Sequence, residues 1–185
     1  MHRALALIIV MQTPVVLLTA EQIQARVTAL AAEISRDYAT ADDLLLVAVL
    51  KGAFIFLADL SRALAIPRSV DFIALSSYGR HGTRSDGVRL LMDLREPIAG
   101  KHVLVVEDIV DSGRTLKYLL DTLRARRPAS LEACVLTKKP ARLEVDVPVK
   151  YLGFELPDAW VVGYGLDYKD RWRTLPYIGT IEHDG

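Results

Sequence analysis

Apolar residues in this chain follow two patterns that alternate along the sequence. After Thr19 and Gln22, which have the spacing of a helix capping box, apolar residues recur at the intervals of one helix face. These apolar positions are Ile23, Val27, Leu30 and Ile34. The spacing predicts a helix that ends near Tyr38.

The second pattern is a continuous apolar run. LLLVAVL at 44–50 is typical of a strand buried on both faces, and GAFIFLADLSRALA predicts a helix that ends at Ile66-Pro67. The later strand-like runs are SVDFIALSSY, RLLMDL, KHVLVVED, SLEACVLTKK, VKYLGFEL and WVVGYGLD, and RTLKYLLDTLRARR before Pro128 is helix-like. This alternation predicts an α/β fold with a mostly parallel twisted sheet flanked by helices.

Composition and charge limit the classes of function. A chain of 185 residues with 51% hydrophobic residues is sufficient for one core, so we expect a single domain over residues 13–185. Basic and acidic residues number 23 each, which gives no net field toward nucleic acid or a membrane, and we expect neither partner. The lone Cys134 excludes an intramolecular disulfide and fits a reducing cytoplasm.

The N-terminal stretch MHRALALIIVM has some features of a signal peptide. Its apolar run is about half of the ~20 residues that a membrane span requires, and Gln12-Thr13-Pro14 interrupts it. No small-residue cleavage site follows. We therefore expect residues 1–12 to be a disordered extension, with Met11 as an alternative start.

The stretch VLVVEDIVDSGRTL, at 103–116, carries the most informative chemistry. Glu107 and Asp108 follow a buried apolar run, at the strand end where ligands bind in parallel sheets. Residues 111–115 then turn into the next helix, whose backbone N–H groups and dipole favour a phosphate, and Gly113 permits close approach. A ligand with a phosphate at one end and hydroxyl groups or a metal at the other satisfies both features.

Other nucleotide and metal motifs are absent from the sequence. The chain has no G-x-x-x-x-G-K-[ST], no G-x-G-x-x-G and no Cys/His cluster with metal-ligand spacing. The alternative for the acidic residues is a solvated strand end followed by an Asp helix cap. Solvation alone explains three acids beside a buried strand poorly.

The segment VVEDIVDSGRTL resembles the phosphoribosyl pyrophosphate (PRPP) signature of type I phosphoribosyltransferases. In the same order as in hypoxanthine-guanine phosphoribosyltransferases, VLKGAFIFLADL, SSYG, KKPAR and LPDAWVVGYGLDYKDRWRTLPYIGTI resemble the other motifs of that family. The resemblance covers residues 15–181. It implies the type I fold with a small hood built from terminal segments, and purine salvage by phosphoribosyl transfer from PRPP to hypoxanthine or guanine. It also implies Mg²⁺ as cofactor and a homodimer or homotetramer.

The resemblance assigns roles at the PRPP end of the site. Glu107 and Asp108 would hold the ribose hydroxyls, directly or through hydrated Mg²⁺, and Asp111 would be the catalytic general base toward purine N7. The implied phosphate contacts are Lys51, Gly52, Asp111, Ser112, Gly113, Arg114, Thr115 and Arg173. A non-proline cis peptide is implied before Lys51. Spacing alone does not favour Arg173 over Arg171.

It also assigns a purine pocket and a lid. Trp160 would stack on the base, Val161 would contribute backbone groups, and Asp167 would bind a second Mg²⁺. A lysine of KKPAR would donate to the 6-oxo group, and the proline that follows favours Lys139 over Lys138. The lid residues would be Ser77 and Tyr78. A core tryptophan is the alternative for Trp160.

Two other functions fit the same motifs. One is a PRPP-sensing regulator without catalysis, against which Asp111, the lid pair and the aromatic pocket argue. The other is a phosphoribosyltransferase for a different base, such as xanthine.

Overall fold

The computed structural model describes residues 13–77 and 88–182, which form two β-sheets and three α-helices. The elements in chain order are β1 (Val15–Leu18), α1 (Ala20–Asp37), β2 (Leu44–Leu50), α2 (Phe54–Ala63), β3 (Arg68–Ser77), β4 (Val88–Met92), β5 (His102–Val110), α3 (Arg114–Arg124), β6 (Ser130–Lys138), a 3-10 turn (Pro140–Arg142), β7 (Tyr151–Glu155), β8 (Trp160–Val162) and β9 (Ile178–Ile181). The predicted extension, residues 1–12, lies outside the described residues. Within the described part of the chain, no helix is long and apolar enough to cross a membrane.

The larger sheet has the strand order β4-β3-β2-β5-β6-β7. The four pairings that join β3, β2, β5, β6 and β7 are parallel, and β4 pairs antiparallel with β3 at the edge. Side chains of β2 alternate between the faces: Leu44 and Leu46 pack with α1 and α2, whereas Leu45 and Val47 pack with α3. The predicted mostly parallel sheet flanked by helices is confirmed.

Helices α1 and α3 begin as predicted, α2 begins at Phe54, two residues after the predicted start, and both α2 and α3 end earlier than predicted. At the start of α1, Thr19 Oγ1 accepts from Gln22 N at 3.3 Å and Thr19 N donates to Gln22 Oε1 at 2.8 Å, which completes the capping box. Helix α2 ends at Ala63, before Ile66-Pro67, and α3 ends at Arg124. The predicted continuation of α3 to Arg127 is wrong because Arg127 has a φ of 57° and precedes proline, which disfavours helical backbone.

A smaller antiparallel sheet, in the order β1-β9-β8, forms the hood from segments near both ends of the described chain. The sequence patterns did not predict β1 or β9. They also assigned WVVGYGLD to the main sheet, which is wrong: strand β8 ends at Val162, and Gly163 and Gly165 then turn the chain with φ values of 98° and 103°. The type I fold with a hood is confirmed, and Val161 and Ile178 of the hood pack into the same core as α1 and α2.

Candidate active site

An acidic pair lies inside strand β5. Glu107 and Asp108 were expected at the end of the strand, but β5 continues to Val110 because its pairing with β6 persists that far. The pairing of β5 with β2 stops earlier, at Val106. Where the two strands part, the side chains of Glu107 and Asp108 remain only 8% exposed.

The electrostatics of this pair favour a cation. Burial raises the pKa of Glu107 well above its usual range, and the adjacent Asp108 charge raises it further. Burial also raises the pKa of Asp108, while its hydrogen bond with Glu107 lowers it. Glu107 Oε2 is buried and has no hydrogen-bond partner among the described residues. Buried carboxylate oxygens with unused acceptor capacity fit a hydrated Mg²⁺ or ribose hydroxyls.

The phosphate loop joins β5 to α3. Gly113 has a φ of 83°, and a Cβ there would lie 2.4 Å from the Val145 carbonyl oxygen. The backbone N–H groups of Glu144 and Val145 donate to the Ser112 carbonyl at 3.0 and 3.1 Å. Ser112, Gly113 and Thr115 line a cavity of about 240 Å³ that also reaches Glu107 and Asp111. The structure thus joins the predicted phosphate loop and part of the acidic pair in one pocket.

Two residues of this loop differ in their surroundings. Arg114 begins α3 and pairs with Glu144, with 2.5 Å between Nη2 and Oε2. Asp111 Oδ2 accepts from Arg142 Nη1 at 3.3 Å, whereas Asp111 Oδ1 is buried and without a hydrogen-bond partner in the described part of the chain. An acceptor oxygen therefore remains available on Asp111.

The two lysines of KKPAR lie in different environments. Lys139 is 4% exposed, and its N–H donates to the Val110 carbonyl at 3.0 Å. Burial lowers the pKa of Lys139, against the opposing effect of the Asp111 charge. Lys138, the last residue of β6, is half-buried. The Asp111 charge thus acts on the ammonium group of the buried lysine, Lys139.

The predicted pyrophosphate loop follows β2. The peptide between Leu50 and Lys51 is cis, as expected. A Cβ on Gly52 would lie 1.6 Å from Asp108 Oδ2, so Gly52 is the residue that lets this loop lie against the acidic pair. Lys51 Nζ lies 3.2 Å from Asp170 Oδ1.

Arg173 joins Lys51 in a small ionic network. Its Nη2 lies 2.7 Å from Asp167 Oδ1 and 2.8 Å from Asp170 Oδ1, and its Nη1 donates to the Gly165 carbonyl at 2.8 Å. Asp167 Oδ2 also accepts from Asp170 N at 2.6 Å, so both of its oxygens are engaged. Arg173 and Lys51 both line a second, larger cavity of the site, whereas Arg171 is exposed. Position therefore favours Arg173 over Arg171 as the predicted pyrophosphate contact.

The large cavity, about 810 Å³, is also lined by the predicted stacking residue. Trp160 is 44% exposed, which excludes a core role, and it contacts Tyr168 edge-to-face with ring centroids 5.9 Å apart. Val161 is buried, and its backbone pairs with Thr180. For the lid, Ser77 ends β3 and Tyr78 lies outside the described residues.

Sequence reasoning missed Arg142, Tyr168 and Asp170, which all contact predicted site residues. Each belongs to a motif that was recognised, so a signal was present, but nothing in the spacing distinguished them from surface residues. Within residues 13–77 and 88–182, no group of three or more His, Cys, Asp or Glu side chains is arranged to hold a metal. The acidic pair nevertheless fits Mg²⁺, which uses few protein oxygens, better than the fully engaged Asp167 does.

Comparison with known proteins gives concordant results. The family model for the phosphoribosyl transferase domain matches residues 17–169. A hypoxanthine-guanine phosphoribosyltransferase of Mycobacterium tuberculosis is 50% identical over 172 residues, 90% of this chain and 85% of the relative. A hypoxanthine phosphoribosyltransferase of Escherichia coli is 46% identical over 167 residues, 90% of this chain and 94% of the relative.

Solved structures agree with these relatives. A crystal structure of a hypoxanthine-guanine phosphoribosyltransferase from Bacillus anthracis has a TM-score of 0.85 at 41% identity, covering 93% of this chain and 100% of that one. A Trypanosoma cruzi hypoxanthine phosphoribosyl transferase, studied for the role of its C-terminal region in oligomeric state and activity, has a TM-score of 0.85 at 43% identity. It covers 90% of each chain.

Proposed function

The chain belongs to the phosphoribosyl transferase family, and from that premise we propose that this site transfers the 5-phosphoribosyl group of PRPP to hypoxanthine or guanine. The protein is a transferase of purine salvage, like the relatives that match 90% of its length. The products are a nucleoside monophosphate and pyrophosphate. The observation that carries the assignment is the buried acidic pair directly beside a phosphate loop at the start of α3.

Two elements of the site bind PRPP, one at its 5′-phosphate and the other at its ribose. The loop from Ser112 to Thr115 holds the 5′-phosphate through backbone N–H groups and the dipole of α3. Glu107 and Asp108 hold the ribose hydroxyls, directly or through Mg²⁺. When bound, Mg²⁺ neutralises charge that develops on the leaving pyrophosphate. Glu107 Oε2, buried without a partner in the described residues, supports this placement.

Two cations receive the leaving pyrophosphate. Lys51 and Arg173 line the same cavity, and both contact the Asp170 carboxylate, which supports an anion site beside these two cations. Gly52 brings backbone N–H groups of the loop close to Asp108. These fixed cations and N–H donors therefore stabilise the charge on pyrophosphate, on the side of the site away from the phosphate loop.

The purine lies between Asp111 and Trp160. Asp111 Oδ1 accepts the proton at N7, because it is an acceptor without a partner among the described residues. Lys139 donates to the 6-oxo oxygen, Trp160 stacks on the ring, and Val161 contributes backbone groups. Ser77 and Tyr78 keep the lid role that the resemblance implies, in which exclusion of water would protect PRPP from hydrolysis. Asp167 orients Arg173, and it would bind a second Mg²⁺ only by giving up its contacts with Arg173 or Asp170.

A panel of bases tests this function. Purified protein, PRPP and Mg²⁺ are incubated with hypoxanthine, guanine, xanthine or adenine, and nucleotide formation is followed by absorbance. We expect turnover of hypoxanthine and guanine and very poor use of adenine, whose exocyclic amine opposes the Lys139 ammonium group. PRPP binding without turnover of any base would indicate a regulator, and turnover of xanthine alone would reassign the substrate.

We also propose a homodimer or homotetramer in the cytoplasm. The Trypanosoma cruzi relative, whose oligomeric state was studied with its C-terminal region, supports an oligomer for a chain of this fold. Size-exclusion chromatography with light scattering is the test. A monomer at micromolar concentration would contradict it.

A further inference from the structure

Arg142 connects the aspartate of the phosphate loop to the segment that precedes Trp160. Its Nη1 donates to Asp111 Oδ2 at 3.3 Å, and its Nε lies 2.9 Å from Asp158 Oδ1. We propose that Arg142 is a positioning residue for the general base and fixes which oxygen of Asp111 faces the purine. This inference rests on the proposed function, in which Asp111 exchanges a proton with N7.

The two oxygens of Asp111 are not equivalent. Oδ2 is held by Arg142, and Oδ1 is buried with no hydrogen-bond partner among residues 13–77 and 88–182. A carboxylate on a turn between strand and helix can rotate about its side-chain torsions, which would alternate the two oxygens. By occupying Oδ2, the guanidinium leaves Oδ1 as the oxygen without a partner in the described part of the chain, and the proposal assigns this oxygen to the purine proton.

An arginine suits this task better than a neutral donor. A guanidinium carries donors but no acceptor, and it stays charged, so it does not compete with the carboxylate for the purine proton. Its planar fork also bonds two partners at once in a defined orientation. Arg142 uses this fork to hold Asp111 with one nitrogen and Asp158 with another.

The backbone that carries Arg142 is attached to the phosphate loop on both sides. Before it, Lys139 N donates to the Val110 carbonyl at 3.0 Å; after it, Glu144 N and Val145 N donate to the Ser112 carbonyl. Because the segment 139–145 is held on either side of Asp111, the guanidinium reaches the carboxylate from a fixed direction. Movement of this segment by a fraction of an ångström would be transmitted to the reacting oxygen.

Stability is a weak explanation for the same contact. The side chains of Arg142 and Asp111 are 41% and 47% exposed, and ion pairs between such exposed groups add little to folding. A variant that loses this ion pair should therefore fold normally. Loss of rate without loss of folding is the property that separates a positioning residue from a structural one.

The test uses the variants Arg142→Gln, Arg142→Lys, Asp111→Asn and the double variant Arg142→Gln/Asp111→Asn. Rates are measured in a single turnover with PRPP, Mg²⁺ and hypoxanthine, because product release often limits kcat. The matched control is Arg126→Gln, since Arg126 also pairs with an aspartate, Asp93, at 2.7 and 2.9 Å, but beyond the other end of α3 and away from the site.

We expect Arg142→Gln to lower the single-turnover rate about 10-fold, a part of the 10²–10⁴-fold effect typical of general base catalysis. The KM for PRPP and the thermal midpoint should stay close to those of wild type and of Arg126→Gln. Arg142→Lys should recover part of the rate. In the Asp111→Asn background, Arg142→Gln should have no further effect, because residues that act as a unit are not additive.

Three results would overturn the inference: an unchanged rate in Arg142→Gln, an additive loss in the double variant, or a loss explained by a lowered thermal midpoint that lysine does not restore. The failure of the proposed function is distinguishable from these, because it would be seen in the wild-type protein. If wild type forms no nucleotide from any 6-oxopurine, the function itself is wrong. If wild type is active and Arg142→Gln equals it, only the positioning role is wrong.

Discussion

Substitution of one lysine of KKPAR, with its neighbour as control, tests the purine pocket. Lys139 is 4% exposed and Lys138 is half-buried, so the pair differs in environment while sharing a segment. Lys139→Met keeps most of the apolar stem and removes the ammonium group. Lys138→Met makes the same chemical change one residue earlier, at the end of β6.

The expected magnitude follows from the hydrogen bond that would be lost. A bond to a charged donor contributes about 1.5–3 kcal/mol, and about 1.4 kcal/mol is a factor of ten in affinity. Lys139→Met should therefore raise the KM for hypoxanthine by about 10- to 150-fold. Burial lowers the pKa of Lys139, because the charged ammonium group is partly removed from water. A hydrogen bond to the oxygen of a bound 6-oxopurine would replace part of that lost hydration.

Initial-rate kinetics with hypoxanthine and guanine, together with PRPP affinity measured by calorimetry, provide the assay. PRPP affinity should stay nearly unchanged in both variants. If Lys138→Met raised the KM and Lys139→Met did not, the contact to the purine would belong to Lys138 instead of Lys139. If neither variant changed it, Lys139 would have no part in recognition of the base.

Three further predictions concern the metal, the phosphate loop and the pH dependence of stability. Chelation of Mg²⁺ should abolish nucleotide formation, since charge on the leaving pyrophosphate is then not neutralised; full turnover in a chelator would contradict this. Gly113→Ala should raise the KM for PRPP at least about tenfold, because left-handed backbone costs alanine about 1–2 kcal/mol and its Cβ would lie 2.4 Å from the Val145 carbonyl; unchanged kinetics would contradict the loop assignment. The Tyr151 hydroxyl, and then Lys150, lower the pKa of Asp37 in the folded state, so their stabilisation is present above the unfolded pKa and is lost as pH falls through the folded pKa. Tyr151→Phe should therefore lower the thermal midpoint at neutral pH, with a difference that shrinks below about pH 4, and a difference that grew in acid would be contrary to this linkage.

Elements whose pattern is local were predictable from the sequence. The capping box and the one-face spacing of α1, and the continuous apolar run of β2, each reflect burial of residues that are neighbours along the chain. The phosphate loop was predictable for the same reason, since Gly113 and the acidic pair lie within one short stretch. The identity of the transferred group came from the resemblance and not from the pattern.

Features that depend on distant pairing were not predictable in this way. Strands β1 and β9 are four residues each and form only because segments near opposite ends of the described chain meet. The last two residues of β5 are strand because β6 continues beside them. Neither effect produces a periodic pattern of apolar residues in the sequence.

The same limit applies to the contacts of the site. Arg142 and Asp111 are 31 residues apart in sequence, and Lys51 and Asp170 are 119 apart. Spacing could identify these side chains as charged but could not pair them. Spacing likewise could not distinguish Arg173, which pairs with Asp167, from the exposed Arg171.

Departure of pyrophosphate and formation of the purine nucleotide are expected to occur together in one site. Both products are followed in one reaction of PRPP, Mg²⁺ and hypoxanthine, with pyrophosphate detected enzymatically and nucleotide separated by chromatography. Equal amounts of the two products are expected at every time point, with no pyrophosphate when the base is omitted. Release of pyrophosphate without nucleotide, or at the same rate without base, would contradict it.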